Sequence, residues 1–385
     1  MTSTDSDIAV TAQHHEQLMT STPPNGLRQR LGCWLHERWR AEVILRAPHL
    51  AARLGWTWMD LHNRREHLTR LPDSEIRICQ WQDSSKLTIP RVFPRVASRL
   101  LEHCLKLNPI SLQTSARKPG SNLEASVLIA IGGDDRLPLL SMVLRSLLSQ
   151  VRAGIEIVVC ESGPTASLRN SLPECIRYCH LPRDATDGFN KSRALNRAAE
   201  LARGRVLFIH DADYLVPQNY LAETLGLLGD ADGIRPCRLL FHASRSMTDQ
   251  IIQRQSLSTC LELEAIVENN PTPIAVTANA YQRIGGHDED YSGWGGEDTE
   301  FLSRLRTGHV IEGGTSFGIH LWHPPAQKKV SGHRNRSLHE RKMRRSAETR
   351  IHELRTTGQF AAKESQKITR LERYESSNEV VVSGL

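Results

Sequence analysis

The sequence predicts an α/β protein with a Rossmann-like, mostly parallel mixed sheet flanked by helices, a helical N-terminal extension and a basic helical C-terminal tail. Three apolar runs in the middle of the chain alternate with stretches of helical periodicity. Continuous apolar runs are typical of strands that are buried on both faces of a parallel sheet. Each run ends in polar or glycine residues, and such sheets bind ligands at the carboxyl ends of their strands.

The N-terminal region precedes this pattern. Residues 1–26 are polar and contain two adjacent prolines, so we expect them to be disordered. Residues 27–120 are predicted to be helical, with a second helix at 96–107 and a polar linker at 113–122. In the first helix, arginines lie between apolar residues spaced four apart, namely Leu27, Leu31, Leu35, Trp39 and Val43. Such a helix docks on the following domain, which we prefer, or lies at a membrane surface.

The α/β domain is predicted to span residues 121–327. Its first half alternates strand, helix, strand, helix and strand, predicted at 127–131, 138–151, 155–160, 190–202 and 206–209. The periodicity weakens after Asp213. There we expect a strand at 274–276, a helix at 298–307 and a strand at 310–319.

Residues 328–385 are predicted to form the basic helical tail and a polar C-terminus. Between Lys328 and Arg355 there are ten lysines and arginines against three glutamates, and this surplus of seven exceeds the net charge of +6 of the whole chain. The tail could meet anionic lipid or an acidic partner, whereas nucleic acid is not expected. A solvated helix face is the preferred interpretation.

The composition excludes several classes of protein. No apolar run reaches the roughly 18 residues that a membrane-spanning helix needs. The N-terminus has no basic segment followed by an apolar stretch, so we expect a cytoplasmic protein. Peripheral contact with the inner face of the membrane, through the basic helix or the tail, stays open. Eight cysteines lack paired C-x-x-C spacing, which predicts reduced thiols and no structural zinc site.

An acidic motif, Asp211-Ala212-Asp213, follows the third predicted strand. Asp213 can offer a carboxylate to a divalent cation, and Asp211 can bind the cation directly or through water and a ribose. His323, and after it His320, are candidate further ligands. Oxygen ligands suit Mg²⁺ or Mn²⁺, and an imidazole ligand favours Mn²⁺. Alternatively, the two histidines cap the end of a buried strand.

A glycine-rich loop from Gly293 to Gly296 precedes two adjacent carboxylates, Glu297 and Asp298. Glycine lets the backbone approach a sugar closely, and Trp294 offers a flat apolar face to a pyranose ring. One carboxylate can bind sugar hydroxyls while the other takes a proton from an acceptor hydroxyl. The carboxylates also suit the N-terminus of the predicted helix at 298–307, and the two interpretations are compatible.

A third motif, from Phe189 to Arg193, opens the predicted helix before the acidic strand. The N–H groups at a helix N-terminus bind phosphate, and Lys191 and Arg193 add positive charge. The segment is therefore a candidate contact for a donor diphosphate. The alternative is an ordinary basic first turn at the surface.

With these motifs, Val127 to about Pro325 resembles the inverting GT-A glycosyltransferases of the family-2 type, especially those with a galactosyltransferase-like C-terminal segment. The motifs that carry the resemblance are Phe189-Asn190-Lys191 with Leu195-Asn196, Asp211-Ala212-Asp213, Gly293 to Asp298, and His320-Leu321-Trp322-His323. In β-1,4-galactosyltransferases the matching segments bind the nucleotide, bind Mn²⁺, contact donor and acceptor sugars and complete the metal site. Polypeptide N-acetylgalactosaminyltransferases have a similar loop with Asn in place of Asp298, so an Asp at this position implies inversion.

The resemblance implies a set of site residues. The metal ligands are expected to be Asp211, Asp213, His320 and His323. Asp298 is expected to be the catalytic base, assisted by Glu297. The donor contacts are expected to be Phe189, Lys191, Arg193, Glu161, Asp211, Trp294, Gly295 and Gly296. The chain departs from the family at Glu161-Ser162-Gly163, where Asp-Asp-Gly-Ser is usual, and at Gly132-Gly133-Asp134, where a Thr/Pro-type turn is usual.

The implied activity is inverting, divalent-metal-dependent transfer of a hexose, galactose or N-acetylgalactosamine, from a UDP-sugar to an acceptor hydroxyl. The acceptor is a glycan, a lipid-linked molecule or a protein. The alternative is a catalytically inactive GT-A-like binding module that the basic tail recruits to a membrane or an acidic partner. A nucleotidyltransferase is disfavoured because Gly132-Gly133-Asp134-Asp135 is acidic where a triphosphate-binding loop needs Lys or Arg.

Overall fold

The structure, a computed structural model, describes residues 26–356 apart from 64–65, 80–83, 114–119, 121, 151–153, 185–186, 258–259, 294 and 325–330, and no side chains at 331–333. The predicted disorder of the first 25 residues, most of the predicted linker, the polar C-terminus and Trp294 therefore lie outside the described residues.

The described residues contain fourteen strands and thirteen α-helices. The strands are β1 (Leu68–Arg70), β2 (Arg77–Cys79), β3 (Ser85–Lys86), β4 (Ala125–Ile131), β5 (Ile155–Gly163), β6 (Arg177–Pro182), β7 (Val206–His210), β8 (Tyr214–Leu215), β9 (Gly233–Ile234), β10 (Cys237–Ala243), β11 (Leu263–Glu268), β12 (Ile274–Thr277), β13 (Val310–Ile311) and β14 (Ser316–His320). The helices are α1 (Leu27–Cys33), α2 (Trp39–Arg46), α3 (Pro48–Arg53), α4 (Ile89–Val92), α5 (Pro94–Leu107), α6 (Leu137–Leu148), α7 (Lys191–Leu201), α8 (Tyr220–Leu228), α9 (Arg245–Arg254), α10 (Ala278–Arg283), α11 (Glu297–Leu305), α12 (Ser331–Met343) and α13 (Ala347–Thr356).

The main sheet has seven strands in the order β13-β9-β12-β7-β4-β5-β6. β4 pairs in parallel with β5 and β7, and β5 with β6, whereas β12 runs antiparallel to β7 and β9. Alternate residues of β4 enter two hydrophobic cores: Val127 and Ile129 pack in the core that contains α6, and Leu128 packs in the core that contains α7 and α11. The predicted mostly parallel mixed sheet, covered by helices, is confirmed.

A second sheet has five strands in the order β3-β11-β10-β14-β8. It corrects one prediction, because the expected strand at 310–319 is divided between β13 in the main sheet and β14 in the second sheet. The chain crosses between the sheets at Gly314, where a Cβ atom would lie 1.9 Å from the carbonyl oxygen of Pro236. Only glycine allows this close approach of two backbones.

The other predicted elements are found with shifts of one to three residues at their ends. The side chain of Asn190 caps α7, since its Oδ1 accepts a hydrogen bond from the Arg193 amide at 2.8 Å. The periodicity did not predict β1 to β3, β6 and β8 to β11, nor the helices α3, α4 and α8 to α10. The strands β1 to β3 lie in the N-terminal region, which the sequence predicts to be helical. Three of the unpredicted strands, β3, β8 and β9, have only two residues each, too few to show a period.

The N-terminal region packs against the α/β domain. Glu37, between α1 and α2, is buried and accepts hydrogen bonds from the amides of Thr88 and Ile89 at 2.6 and 2.9 Å. From the domain, Arg238 donates to the carbonyl of Leu61 at 2.6 Å and pairs with Glu268 at 3.0 Å. Residues of the region from Cys33 to Leu112 belong to the same core as β4 and β5. The helices therefore dock on the domain, as we prefer, and the domain boundary at residue 120 stays a prediction.

The described part of the tail, α12 and α13, also packs on the domain. Lys342 of α12 pairs with Asp288 and Asp290, and Arg350 of α13 pairs with the buried Glu300 of α11. The tail therefore differs from the expected solvated face, because part of its positive charge neutralises carboxylates of the domain. No helix among the described residues is long and apolar enough to cross a membrane.

Candidate active site

Asp213, His320 and His323 form a cluster at the edge of the second sheet. Asp213 follows β7 directly, and His320 ends β14, which pairs with β8 so that His320 lies opposite Tyr214. His323 Nε2 lies 3.2 Å, and His320 Nε2 3.8 Å, from Asp213 Oδ2. Each residue offers one ligand atom, and these three atoms lie within 4.8 Å of one another. Three of the four side chains predicted as ligands are therefore brought together.

The electrostatics of the cluster favour an ionised Asp213. Burial opposes ionisation, but the hydrogen bond with His323 and the charges of His320, His323 and Arg136 lower the pKa of Asp213 to about 2. Burial also lowers the pKa of His320. The Oδ1 atom of Asp213 is buried without a hydrogen-bond partner among the described residues. An unpartnered buried carboxylate oxygen beside two imidazoles fits a divalent cation.

Asp211 lies outside this three-residue cluster. Its Oδ1 pairs with Lys191 Nζ at 2.6 Å, and its Oδ2 accepts a hydrogen bond from Thr272 Oγ1 at 3.0 Å. Lys191 also donates to both carboxylate oxygens of Asp298, at 3.0 and 2.9 Å. Burial opposes the charge of Lys191, but Asp211 and Asp298 hold its pKa well above the usual value. Lys191 thus links the acidic motif after β7 with the glycine loop.

The glycine loop positions Glu297 and Asp298 at the first turn of α11. Gly293, Gly295 and Gly296 have φ of 84°, 109° and 92°, a conformation that residues with a Cβ rarely adopt. The Gly295 amide donates to Glu297 Oε2 at 2.9 Å, which turns this carboxylate back over the loop. Burial, and then the charge of Asp298, raise the pKa of Glu297 to about 7 against the opposing charge of Lys191. Burial likewise raises the pKa of Asp298.

The remaining predicted donor contacts fall into two groups. Phe189 is half-buried and packs on Gly132, and its carbonyl accepts a hydrogen bond from the Gly293 amide at 2.8 Å. Arg193 is exposed. Glu161, in contrast, is engaged within the protein: both its oxygens accept hydrogen bonds, from Ser167, the Leu168 amide and Tyr178. The structure gives no geometric support to Glu161 as a donor contact.

The sequence did not point to Arg136 and His242. Arg136 lies just before α6 and donates to Asp213 Oδ2 at 3.3 Å. His242, in β10, stacks on His320 with ring centroids 4.5 Å apart, and burial lowers its pKa to about 3. Arg136 could have been found from the sequence, because it lies close to the carboxyl end of β4, where such sheets bind ligands. No sequence signal indicated His242, because its strand was not predicted.

Two segments of the chain match known families. Residues 135–259 match the family described as glycosyl transferase family 2, and residues 273–313 match the family described as the N-terminal domain of galactosyltransferase. The first segment contains Lys191, Asp211 and Asp213, and the second contains Glu297 and Asp298. A comparison of the sequence with curated proteins finds no match.

Several solved structures are similar at low identity. GalNAc-T7, crystallised with UDP, GalNAc and Mn²⁺, is 17% identical over 52% of this chain and 44% of that chain, with a TM-score of 0.38. Mannosyltransferase PcManGT from Pyrobaculum calidifontis, in complex with GDP-Man and Mn²⁺, is 18% identical over 70% and 79%, with a TM-score of 0.39. S. aureus TarS is 13% identical over 51% and 60%, with a TM-score of 0.36.

The chain spans less than half the length of the GalNAc-T7 structure that it matches. At TM-scores this low, we draw no argument from the superpositions, and the assignment depends on the family matches and on the fold of the chain itself. The two matched segments lie on the mixed sheet and hold the acidic motif, Lys191 and the glycine-loop carboxylates. The protein therefore combines a segment that matches glycosyl transferase family 2 with a following segment that is galactosyltransferase-like.

Proposed function

We propose that this protein is an inverting, divalent-metal-dependent glycosyltransferase that moves a hexose from a UDP-sugar to an acceptor hydroxyl. The observation that carries the proposal is the position of Lys191, which contacts Asp211 at 2.6 Å and Asp298 at 2.9 Å. Lys191 therefore joins the acidic motif and the glycine-loop carboxylate in one cleft. Transfer from a nucleotide needs both functions there, one for the leaving diphosphate and one for the incoming hydroxyl.

Asp213, His320 and His323 are the proposed metal ligands, and Asp211 is a candidate for contact through water or the ribose. The unpartnered Oδ1 of Asp213 and the two imidazoles suit Mn²⁺ better than Mg²⁺. Mn²⁺ is also the ion in the GalNAc-T7 and mannosyltransferase structures. When bound, the cation neutralises negative charge on the diphosphate leaving group.

Asp298 is the proposed base that takes the proton of the acceptor hydroxyl. It lies at the N-terminus of α11, where the helix dipole favours its negative charge. Attack on the face opposite the leaving group inverts the anomeric centre. Glu297 orients sugar hydroxyls from the neighbouring position. Because Lys191 also contacts Asp298, it keeps this carboxylate in place and favours its ionised form.

Phe189, Lys191 and Arg193 are the proposed contacts to the nucleotide diphosphate, together with Trp294, Gly295 and Gly296 for the sugar. Glu161 is kept as a weaker candidate, because it first has to release its internal hydrogen bonds. The galactosyltransferase match favours galactose or N-acetylgalactosamine as the transferred sugar. The acceptor is a hydroxyl of a glycan, a lipid-linked molecule or a protein.

The test is release of UDP from UDP-galactose, UDP-N-acetylgalactosamine and UDP-glucose, with and without Mn²⁺. We expect release that depends on Mn²⁺. The variant Asp298→Asn should keep donor affinity and lose turnover by roughly 10²–10⁴-fold, the usual contribution of a general base. Asp249→Asn, at an exposed position of α9, is the control and should keep turnover. Unchanged turnover in Asp298→Asn contradicts the role of the base.

The alternative function is a catalytically inactive binding module. It predicts donor binding without UDP release for every UDP-sugar. The partly buried ion pairs of Lys191 and the pKa of about 7 at Glu297 favour the enzyme, because perturbed groups that converge are typical of active sites.

Peripheral contact with an anionic membrane surface through α1 is a separate part of the proposal. Leu27, Leu31 and Leu35 are 76%, 52% and 56% exposed and lie on one face of the helical stretch. Trp34 is 47% exposed on the same side, and arginines flank this face. An apolar stripe with tryptophan and arginine beside it is typical of interfacial helices. Buried free thiols at Cys33, Cys104 and Cys160 agree with the cytoplasmic side of that membrane.

Sedimentation with lipid vesicles tests this contact. We expect binding to vesicles that contain phosphatidylglycerol and little binding to phosphatidylcholine alone. The double variant Leu31→Ser/Leu35→Ser should lose binding, whereas Leu107→Ser, at an equally exposed leucine of α5, should keep it. Equal binding of both variants contradicts the role of α1.

A further inference from the structure

Helix α12 lies along the segment 288–296 that leads into the catalytic carboxylates. Asn335 Nδ2 donates to the Ser292 carbonyl at 3.1 Å, and the Tyr291 hydroxyl lies 3.2 Å from His339 Nδ1. A Cβ atom at Gly296 would lie 3.2 Å from His339, so the helix is in van der Waals contact with the residue before Glu297. Lys342 pairs with Asp290 at 2.6 Å and also with Asp288. The helix thus forms one wall of the space beside the catalytic loop.

A cavity of about 560 Å³ lies between this helix and the loop. The loop side contributes Glu289, Asp290 and Ser292, and the helix side contributes Arg334, Ser337, Leu338 and Arg341. The volume suits one or two sugar rings, since ligand pockets in proteins measure roughly 300–1,000 Å³. Six of the seven lining residues are polar, and two of them are serines, so the lining suits a carbohydrate.

Two arginines of the lining have unused charge. Arg334 and Arg341 are seven residues apart, two helical turns, and so lie on the same face of α12. Neither has a carboxylate within ion-pair distance among the described residues, whereas their neighbours Arg336 and Lys342 pair with Glu340 and Asp290. Both side chains are exposed to the cavity mouth. They are therefore available to an anionic ligand.

The carboxylates on the loop side of the cavity are engaged within the protein. Glu289 Oε1 accepts a hydrogen bond from Asn196 at 2.8 Å, which fixes the carboxylate, and Oε2 is buried without a partner in the described part of the chain. Asp290 is neutralised by Lys342. Because the Oε2 atom of Glu289 is closed to solvent, it does not face a ligand in the cavity.

We propose that this cavity binds the acceptor and that the acceptor is a sugar carrying an anionic group, a carboxylate or a phosphate. Arg334 and Arg341 take the anionic group, and the serines of the lining contact sugar hydroxyls. This assignment deepens the proposed transferase function and depends on it.

The test is calorimetric titration of the full chain, loaded with UDP and Mn²⁺, with three acceptor probes: glucuronic acid, a hexose 6-phosphate and a neutral hexose. We expect the anionic probes to bind at least tenfold more tightly than the neutral one. The comparison between glucuronic acid and hexose 6-phosphate identifies the anion. The variant Arg334→Gln/Arg341→Gln should weaken anionic binding roughly 10- to 100-fold, since a hydrogen bond to a charged group is strong.

The matched control is Arg336→Gln, on the same helix but outside the cavity lining, and it should keep the affinity of the wild type. Equal binding of all three probes, no binding of any probe, or equal losses in Arg336→Gln and the double variant would overturn the inference. UDP release without acceptor is recorded in parallel on the wild type. If UDP is released but the anionic probes do not bind preferentially, the acceptor assignment fails while the transferase function stands.

Discussion

At the scale of residues, the cleft holds three carboxylates around one ammonium group. Lys191 contacts Asp211 and Asp298 directly, and Glu297 is adjacent to Asp298. These groups would carry three negative charges and one positive charge in a partly buried site. Ionisation of all three carboxylates is therefore unfavourable. Burial, followed by the charge of Asp298, raises the pKa of Glu297 to about 7 against the opposing charge of Lys191. The proton held by Glu297 and Asp298 therefore belongs to the pair.

We predict that kcat/KM rises with pH through about 7, because the base acts only when the pair has lost this proton. Glu297→Gln removes a negative neighbour of Asp298, so the pKa of Asp298 falls and the rise moves to lower pH. Activity profiles of both proteins between pH 5 and 9 measure the shift. A midpoint that does not move contradicts the coupling.

The same substitution has a second readout in stability. Burial raises the folded pKa of Glu297 above its unfolded value of 4.5, so protonation favours folding and this contribution is lost as pH rises through about 7. Glu297→Gln should therefore raise the Tm more at pH 8 than at pH 5. An equal change at both pH values contradicts this sign.

The metal cluster makes a prediction that does not depend on turnover. Because Mn²⁺ binds the folded cluster and not the unfolded chain, saturating Mn²⁺ should raise the Tm of the wild type by a few degrees, equivalent to about 3 kcal/mol at a hundredfold excess over Kd. Asp213→Asn and His323→Gln should lose this increase. His352→Gln, at an exposed histidine of α13, should keep it. A full increase in both cluster variants contradicts the assigned ligands.

At the scale of elements, the tail helices belong to the catalytic domain. Glu300 and Arg304 of α11 and Arg350 of α13 form a buried network, in which Arg304 donates to Glu300 at 2.7–3.0 Å and also to the carbonyl of Gly286 at 2.7 Å. Helix α11, which holds Glu297 and Asp298, is thus contacted by α13 through Arg350. The segment 288–296 that precedes α11 is contacted by α12 through Asn335. The proposed catalytic carboxylates depend on this support for their position.

We predict that Arg350→Ala costs about 3 kcal/mol in the free energy of unfolding, because it removes a partner from the buried Glu300. Arg345→Ala is the matched control. Its pair with Glu353 is exposed, and exposed pairs contribute about 0–1 kcal/mol. Urea unfolding of the two variants measures the difference. A similar loss of unfolding free energy in both variants would show that the Arg350–Glu300 pair does not stabilise the packing of α13 on α11.

At the scale of the whole molecule, the N-terminal region and the α/β domain share one hydrophobic core. Strand β3 extends the second sheet by pairing with β11, and the buried Arg238–Glu268 pair faces the carbonyls of Met59 and Leu61. Without the N-terminal helices, Arg238 loses two acceptors and the core is exposed to water. The two regions are therefore expected to depend on each other for stability.

We predict that residues 26–356 unfold in a single cooperative transition and that a chain beginning at residue 121 is unfolded or aggregated. Differential scanning calorimetry of the full chain and circular dichroism of the shortened chain measure both. Two separate transitions, or a shortened chain with native secondary structure, contradict the prediction.

The sequence predicted the first half of the domain well because the information there is local. The apolar runs that form β4, β5 and β7 are buried along nearly their whole length. Each strand can therefore be predicted from a few consecutive apolar residues. The acidic motif follows β7, and Lys191 and Asp298 lie in the first turns of predicted helices. Between Asp213 and Ile274, by contrast, two-residue strands and a register shift in the pairing of β10 with β11 leave no clear period.

By itself, the sequence determined the residue types of the chemistry, their order, and the parallel sheet that carries them, because periodicity and composition act over short distances. Only the tertiary structure decided that Lys191 joins Asp211 to Asp298, that Arg136 reaches Asp213, and that the basic tail covers the catalytic loop. These contacts join residues far apart in the chain. They depend on how the two sheets and the flanking helices pack together, and no local pattern contains that information.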